Sequence, residues 1–377
     1  MASRTQAELY ARIDSELSWS ESELPERERT KHVHRLHPYL GKYPPQLVEV
    51  LLRRRFSPGA LIYDPFAGSG TTLVEATVLG MHAIGCDVSA FNCLLCEVKA
   101  SPPDVAAAES ELARALAMPP VDEPTTQWLE RWYAPGARAE LAGFRRALEG
   151  SPQRPVLSIV LSRAARSARR VPHHALDEAR TPVLEPYWCH KHRRTCRPVE
   201  EAARFLRRYA ADTVRRLAEY AALRKDVAVS VLHADARDVD LPDGIDGVVT
   251  SPPYPGLIDY HEQHRYAYEL LGLEDRRALE LGAAAEGTTR RAVAAYCDGI
   301  VEVLAHTRRH LAPGGGVAIV VNDRRELYDD IARRAGLRLE SRIARHVNRR
   351  TGRRAGEYFE EVLWLRPARS RAAAAAR

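Results

Sequence analysis

The stretch LIYDPFAGSGTTLVEATVLGMHAIGCD (61–87) constrains the fold of this chain more than any other. Leu61-Ile62-Tyr63 is a short apolar run, and a turn of small residues follows it. Residues 71–79 have helix-compatible spacing, and His82 to Cys86 forms a second apolar run ending at Asp87. Strand, turn, helix and strand in that order make a βαβ unit. An open α/β sheet built from such units places its ligands at the carboxyl ends of the strands. The turn Asp64-Pro65-Phe66-Ala67-Gly68-Ser69-Gly70-Thr71-Thr72 lies at such an end, and its small residues let a ligand approach the backbone.

The turn also excludes ligands. It lacks GxxxxGK[ST], the loop that cradles nucleotide phosphates, and it lacks a full GxGxxG because Leu73 stands where the third glycine would be. Asp87 is placed to accept from a ribose diol, with a cap on the following helix as the lesser alternative. Asp235, in His233-Ala234-Asp235-Ala236, can accept from an adenine amino group or shape a turn. A site that reads ribose and adenine without a phosphate cradle points to S-adenosylmethionine.

The third strand of the sheet is expected only at Val227 to Leu232, so 103–226 is an insertion rich in Ala, Arg, Leu and Glu. An insertion of that length reads as a mainly helical subdomain, not a loop. Beyond it, strands are expected at 245–250 and 317–321, with Leu311 to Gly316 as a turn, and helical segments at 260–272 and 289–311. Strand-like stretches at 337–347 and 358–365 close the chain. The expected division is an N-terminal helical arm (1–36), a catalytic domain (37–102 with 227–368), the insertion, and a frayed low-complexity tail (369–377).

One strand runs directly into Thr250-Ser251-Pro252-Pro253-Tyr254. Paired prolines end a strand, since they lack N–H groups and fix φ. They also make a rigid ledge that can present a hydroxyl, carbonyls and a ring to a substrate. DPFAGSGTT followed by TSPPY resembles the S-adenosylmethionine-dependent DNA amino-methyltransferases acting on cytosine N4 or adenine N6. The resemblance covers most of 37–102 and 227–366. It implies a Rossmann-like class I fold, a seven-stranded mixed sheet closed by an antiparallel hairpin. It also implies that the segment with Lys42, Tyr43 and Pro44 closes over the methionine moiety, that residues 64–72 with Asp87, Asp235 and Ala236 hold the cofactor, and that Ser251, Pro252, Pro253 and Tyr254 are catalytic. Ser251 and a proline carbonyl would accept from the target amine, and Tyr254 would stack on a base taken out of the duplex. Serine in first place favours cytosine N4. Adenine N6, an RNA base amine and a catalytically silent nucleic-acid-binding module are the alternatives.

The charge of +6 and pI near 9.0 lean toward an anionic partner. DNA is the partner the resemblance implies, with RNA not excluded and a restriction endonuclease as a further candidate. Of the 56 basic residues only Lys31, Lys42, Lys99, Lys191 and Lys225 are lysines. His261, His264 and Arg265 after the ledge are candidates for nucleic-acid contact, as are Arg349, Arg350, Arg353 and Arg354 between the last two strands. Six cysteines without a regular framework and no apolar leader fit a cytoplasmic protein. No metal is expected at the active site. Cys189, His192 and Cys196 have short zinc-like spacings, with His173 and His174 upstream, but lack the usual second pair, which favours a buried Cys/His cluster or a nucleic-acid contact over a metal site.

Overall fold

The computed structural model describes residues 17–19, 24–25, 28, 30–176, 179–347 and 358–368. The candidate arginines at 349, 350, 353 and 354, the tail, and most of the N-terminal arm lie outside the described residues.

The expected βαβ unit is β1 (Leu61–Asp64), α2 (Thr71–Val78) and β2 (His82–Asp87), preceded by α1 (Pro45–Arg55) and followed by α3 (Ala90–Ala100). The sheet resumes with β5 (Val229–His233), β6 (Ile245–Thr250), β7 (Leu311–Val321), β8 (Leu337–Val347) and β9 (Tyr358–Pro367). Its spatial order is β5-β2-β1-β6-β7-β9-β8. The first five strands are parallel, and β9 runs antiparallel to both β7 and β8. This is the Rossmann-like class I methyltransferase sheet with its terminal hairpin. The chain reverses its direction of strand addition between β1 and β6, which opens a crevice at their carboxyl ends.

Alternation along the strands sorts side chains onto two faces. Ile62, Val249, Ala318, Val320, Val362 and Trp364 belong to one apolar cluster, and their neighbours Tyr63, Val248, Val317, Ile319, Leu363 and Leu365 to the other. The second face is covered by α9 (Arg290–His310) and α10 (Tyr328–Arg334), through Ile300, Val303, Leu304 and Ile331. The first cluster continues into 103–226, where α4 (Val105–Leu116), α5 (Gln127–Trp132), α6 (Pro135–Arg146), α7 (Arg154–Ala168) and α8 (Ala203–Ala221) supply Leu112, Leu129, Phe144, Leu157 and Leu217 in turn.

Two details differ from the sequence reading. A small antiparallel hairpin, β3 (Tyr187–Cys189) and β4 (Arg194–Cys196), interrupts the helices of the insertion. Leu311 to Gly316 is part of β7: Ile245 pairs with Leu311 and Gly247 with Gly316, so the glycine run bulges out of a strand that has already begun.

Candidate active site

Four strand ends meet at the crevice, and three of them carry an aspartate at or just past the end. Asp64 ends β1 and is fully buried. It accepts from Thr250 Oγ1 (2.6 Å), the Phe66 N–H (3.1 Å) and Tyr43 O–H (3.3 Å). Thr72, bonded to Tyr43, donates to the Val249 carbonyl at 3.0 Å. Burial raises the Asp64 pKa against the pull of these donors. This network joins β1, β6, the start of α2 and the segment before α1 into one unit.

The glycine turn bends back on itself, with Gly70 N–H donating to the Ala67 carbonyl at 2.7 Å. Gly70 has φ +76°, and a Cβ there would lie 3.2 Å from the Cys96 backbone. Gly68 has φ +50°, and the Tyr39 hydroxyl occupies the space a side chain would need. The turn is fixed from behind by Lys99, a fully buried lysine on α3 whose ammonium donates to the Ser69 carbonyl at 2.9 Å. Burial pushes the Lys99 pKa well down.

Asp87 ends β2 at the floor of the cleft. It accepts from Gly68 N–H (2.9 Å), Ser89 N–H (2.9 Å) and Asn92 Nδ2 (3.1 Å). Burial nevertheless raises its pKa to about 6. Asp235, beyond β5, is paired with Arg237, whose Nε lies 2.9 Å from Oδ1. Burial alone would raise its pKa, but the Arg237 bonds prevail and hold it below the ordinary value.

The ledge after β6 closes the site. Thr250 points at Asp64, and Ser251 turns to the cleft while its hydroxyl donates to the Val320 carbonyl at 2.9 Å. The cleft is lined by Pro65, Phe66, Gly68, Asp87, Asn92, Asp235, Ala236, Ser251 and Pro253, together with Tyr39, Tyr260, Glu280 and Leu281. The Tyr39 and Tyr260 rings stack at 5.4 Å. Among the described residues that line it, none is Lys, Arg or His, and three are carboxylates. Such a surface repels phosphates and suits hydroxyls, amines and a cationic ligand, so the residues present fit S-adenosylmethionine.

Several expected residues stand behind the cleft. Ala67, Ser69, Gly70, Thr71 and Thr72 are buried in the turn, and Tyr43 and Asp64 in the network beneath it. Lys42 donates to the His34 carbonyl (3.1 Å), and Pro44 is the N-cap of α1. Pro252 is buried, and Tyr254 packs partly buried against the apolar cluster of the second face. His261 and His264, expected at a nucleic-acid surface, are fully buried. His261 Nδ1 is bonded to Glu280, and His264 packs against His37, Phe91 and Tyr39. Neither imidazole presents a face to a strand. Arg265 is half-exposed but engaged with Glu269 (3.2 Å). Cys189, His192 and Cys196 come together, joined by His173, and none of the four lines the cleft.

Sequence reasoning missed Lys99, Asn92 and Glu280, whereas Tyr39 and Tyr260 fall in stretches it had placed beside the cofactor and the target base. One signal was present: lysine is rare in this arginine-rich chain, yet Lys31, Lys42 and Lys99 all anchor groups beside the glycine turn. Lys31 binds Glu75 on α2 at 3.0 Å.

The N6_N4_Mtase family model, described as DNA methylase, matches residues 5–97. The type II methyltransferase M.MjaII of Methanocaldococcus jannaschii is 34% identical across 91% of this chain and 82% of its own. M.MvaI of Kocuria varians, also a type II methyltransferase, is 34% identical over 22% of this chain and 18% of its own. The solved structure of TrmN from Thermus thermophilus covers 87% of this chain and 50% of its own at 15% identity, with a TM-score of 0.36. At that score the sheet order, not the likeness, carries the fold assignment.

Proposed function

This chain belongs to the N6/N4-type DNA methylases, and on that premise we propose that it methylates an exocyclic amine of a DNA base, with cytosine N4 the favoured acceptor. S-adenosylmethionine, the cofactor, supplies an electrophilic sulfonium methyl when bound. Asp87 would hold the ribose hydroxyls and Asp235 the adenine amino group, while Phe66 and Leu281 offer apolar walls.

The observation that carries the reading is the orientation of Ser251. Its single proton is committed to the Val320 carbonyl, so its oxygen faces the cleft as an acceptor. An exocyclic amine is a poor nucleophile because its lone pair is delocalised into the ring. Accepting its N–H groups at Ser251 and at a ledge carbonyl localises that pair, and the two prolines keep the acceptors from relaxing. Tyr254 stacks on the extruded base. After transfer the amine proton leaves to solvent. The insertion 103–226 is the proposed DNA-reading element, since its hairpin exposes Trp188, Lys191, Arg193 and Arg194. Replacing both arginines by alanine should weaken DNA binding and flatten its salt dependence; an unchanged salt slope would move the contact elsewhere.

The decisive experiment is incubation with labelled S-adenosylmethionine and mixed DNA, followed by nucleoside mass spectrometry. N4-methylcytosine is the expected product. N6-methyladenine would replace the cytosine assignment, and label on RNA alone would overturn the DNA assignment. Absence of cofactor binding would leave only a silent nucleic-acid-binding module.

A further inference from the structure

The hairpin inside the insertion has strands of three residues each, too short to be stable in water unaided. Its turn curls tightly: the N–H groups of His192 (3.2 Å) and Arg193 (2.8 Å) both donate to the Cys189 carbonyl. Arg193 adopts φ +50°, a left-handed conformation costly for a residue with a Cβ. That curl brings His192 Nδ1 to 3.6 Å from Cys189 Sγ and 3.4 Å from Cys196 Sγ. His173, sixteen residues before Cys189, adds a fourth donor, its Nδ1 3.9 Å from Cys189 Sγ. All four ligand atoms lie within 4.8 Å of one another. Both cysteines are buried and unpaired by disulfide.

We propose that Cys189, His192, Cys196 and His173 bind one zinc ion that staples the hairpin to the segment before it. Zinc–sulfur and zinc–nitrogen bonds of about 2.3 and 2.05 Å at a tetrahedral angle put sulfur and nitrogen about 3.6 Å apart. The three sulfur–nitrogen separations here bracket that value. Hydrogen bonding explains the quartet less well, because two thiols converge on one imidazole nitrogen that can join only one of them in a full hydrogen bond. Two thiolates and two imidazoles select zinc over harder cations, and four protein ligands leave no open position, so the site is structural. The Tyr187 hydroxyl accepts from the His173 backbone N–H (3.1 Å) and also reaches its Nδ1 (3.0 Å). With metal on that nitrogen, the backbone contact remains to orient the ligand. The buried group His32, His34 and Glu75 is a weaker alternative. Its carboxylate already accepts from His34 Nε2 (2.7 Å) and the Lys31 ammonium (3.0 Å), and that ammonium repels a cation.

The test uses the full chain, purified in reducing, chelator-free buffer and assayed by elemental mass spectrometry. About one zinc per chain is expected. Cys189→Ser and Cys196→Ser should each lose it, whereas His190→Ala, on the same turn but outside the quartet, should keep it. Cobalt(II) added to zinc-depleted protein should give the visible bands of tetrahedral thiolate coordination. His192→Cys should keep the metal and strengthen the sulfur-to-cobalt charge transfer, a gain that a merely misfolded variant would not show. The proposal is overturned by metal-free protein that gives no cobalt bands with its thiols reduced. Zinc retained in both cysteine variants, or a Cys189–Cys196 disulfide that persists in reductant, would overturn it too.

Discussion

Asp64 and Asp87 end neighbouring parallel strands, with Asp64 paired in register to Gly85 two residues before Asp87, yet they have opposite surroundings. Asp64 is sealed beneath the turn by donors from β6, the segment before α1 and the Phe66 N–H at the start of the turn. Asp87 opens on the cleft, and one of its donors is the Gly68 N–H of the ligand turn itself. The same split divides the last residue of β6 from the first of the ledge: Thr250 points down to Asp64, and Ser251 faces the cleft. A polar side chain whose bonds are all made inside the protein holds the sheet ends together. One that keeps an acceptor free toward a cleft can act on a ligand.

The sharpest way to break that contrast is Asp64→Ala. It leaves the Thr250 hydroxyl and the Phe66 N–H short of an acceptor, while Tyr43 keeps Thr72, and should cost ~3–5 kcal/mol of folding stability. Denaturant titration measures it. An unchanged midpoint with lost cofactor affinity would make Asp64 a ligand-binding residue and erase the distinction. Next in size, Ser251→Ala should lower kcat about 10²–10³-fold, the usual effect of deleting one preorganised group at a reacting centre. Cofactor affinity, read by calorimetry, should hold. Equal loss of both would place Ser251 with the cofactor rather than the amine.

What was legible in the sequence follows the same line. The βαβ unit, the ends of β8 and the 245–250 strand were readable because period-two apolar alternation and turn residues are local signals. The glycine turn and the ledge were readable as motifs, but which of their residues face the cleft was not. Thr71 and Thr72 look as available as Ser251 in a string of letters, and only contact between β1 and β6 separates them. Lys99 could not be placed because its partner, the Ser69 carbonyl, lies thirty residues away. His261 and His264 read as candidates for nucleic-acid contact because nothing nearby announces Glu280, whose carboxylate lets an imidazole be buried. His173 was legible only as a histidine upstream of the cysteines, and the curl of the hairpin is what selects it over His174. Each miss is a long-range polar contact, which leaves no periodicity.

Asp87→Asn should weaken cofactor binding about 10–100-fold with a modest loss of stability, because the amide oxygen can keep the Ser89 and Asn92 donors while the Gly68 N–H, bonded to the other oxygen, loses its acceptor and the charge-assisted bond is lost. The pH dependence shares this cause. With its pKa raised to about 6, Asp87 is protonated in the folded protein over a range where an unfolded aspartate is already ionised. Its contribution to stability is therefore fully present below about pH 4 and is lost as pH rises through 6. Cofactor binding needs the carboxylate as acceptor and should tighten over the same interval. Thermal melts with and without cofactor between pH 5 and 7.5 read both slopes, and Asp87→Asn should flatten them. An unchanged slope in that variant would assign the titration to another group, with Glu75, also raised to about 6 by burial, the first to examine.

The smallest effect is expected at Asp235→Asn. Its carboxylate already spends its oxygens on Arg237 and is held in the charged form, so an incoming adenine amino group competes with an existing ion pair. A loss of only about threefold in cofactor affinity is expected, within the range of a partly exposed pair. Arg237→Ala frees the carboxylate and should leave affinity level or improved. Should Arg237→Ala weaken binding as much as Asp87→Asn does, the pair would be acting as one positioned unit, and Asp235 would belong with the sealed aspartate rather than the open one.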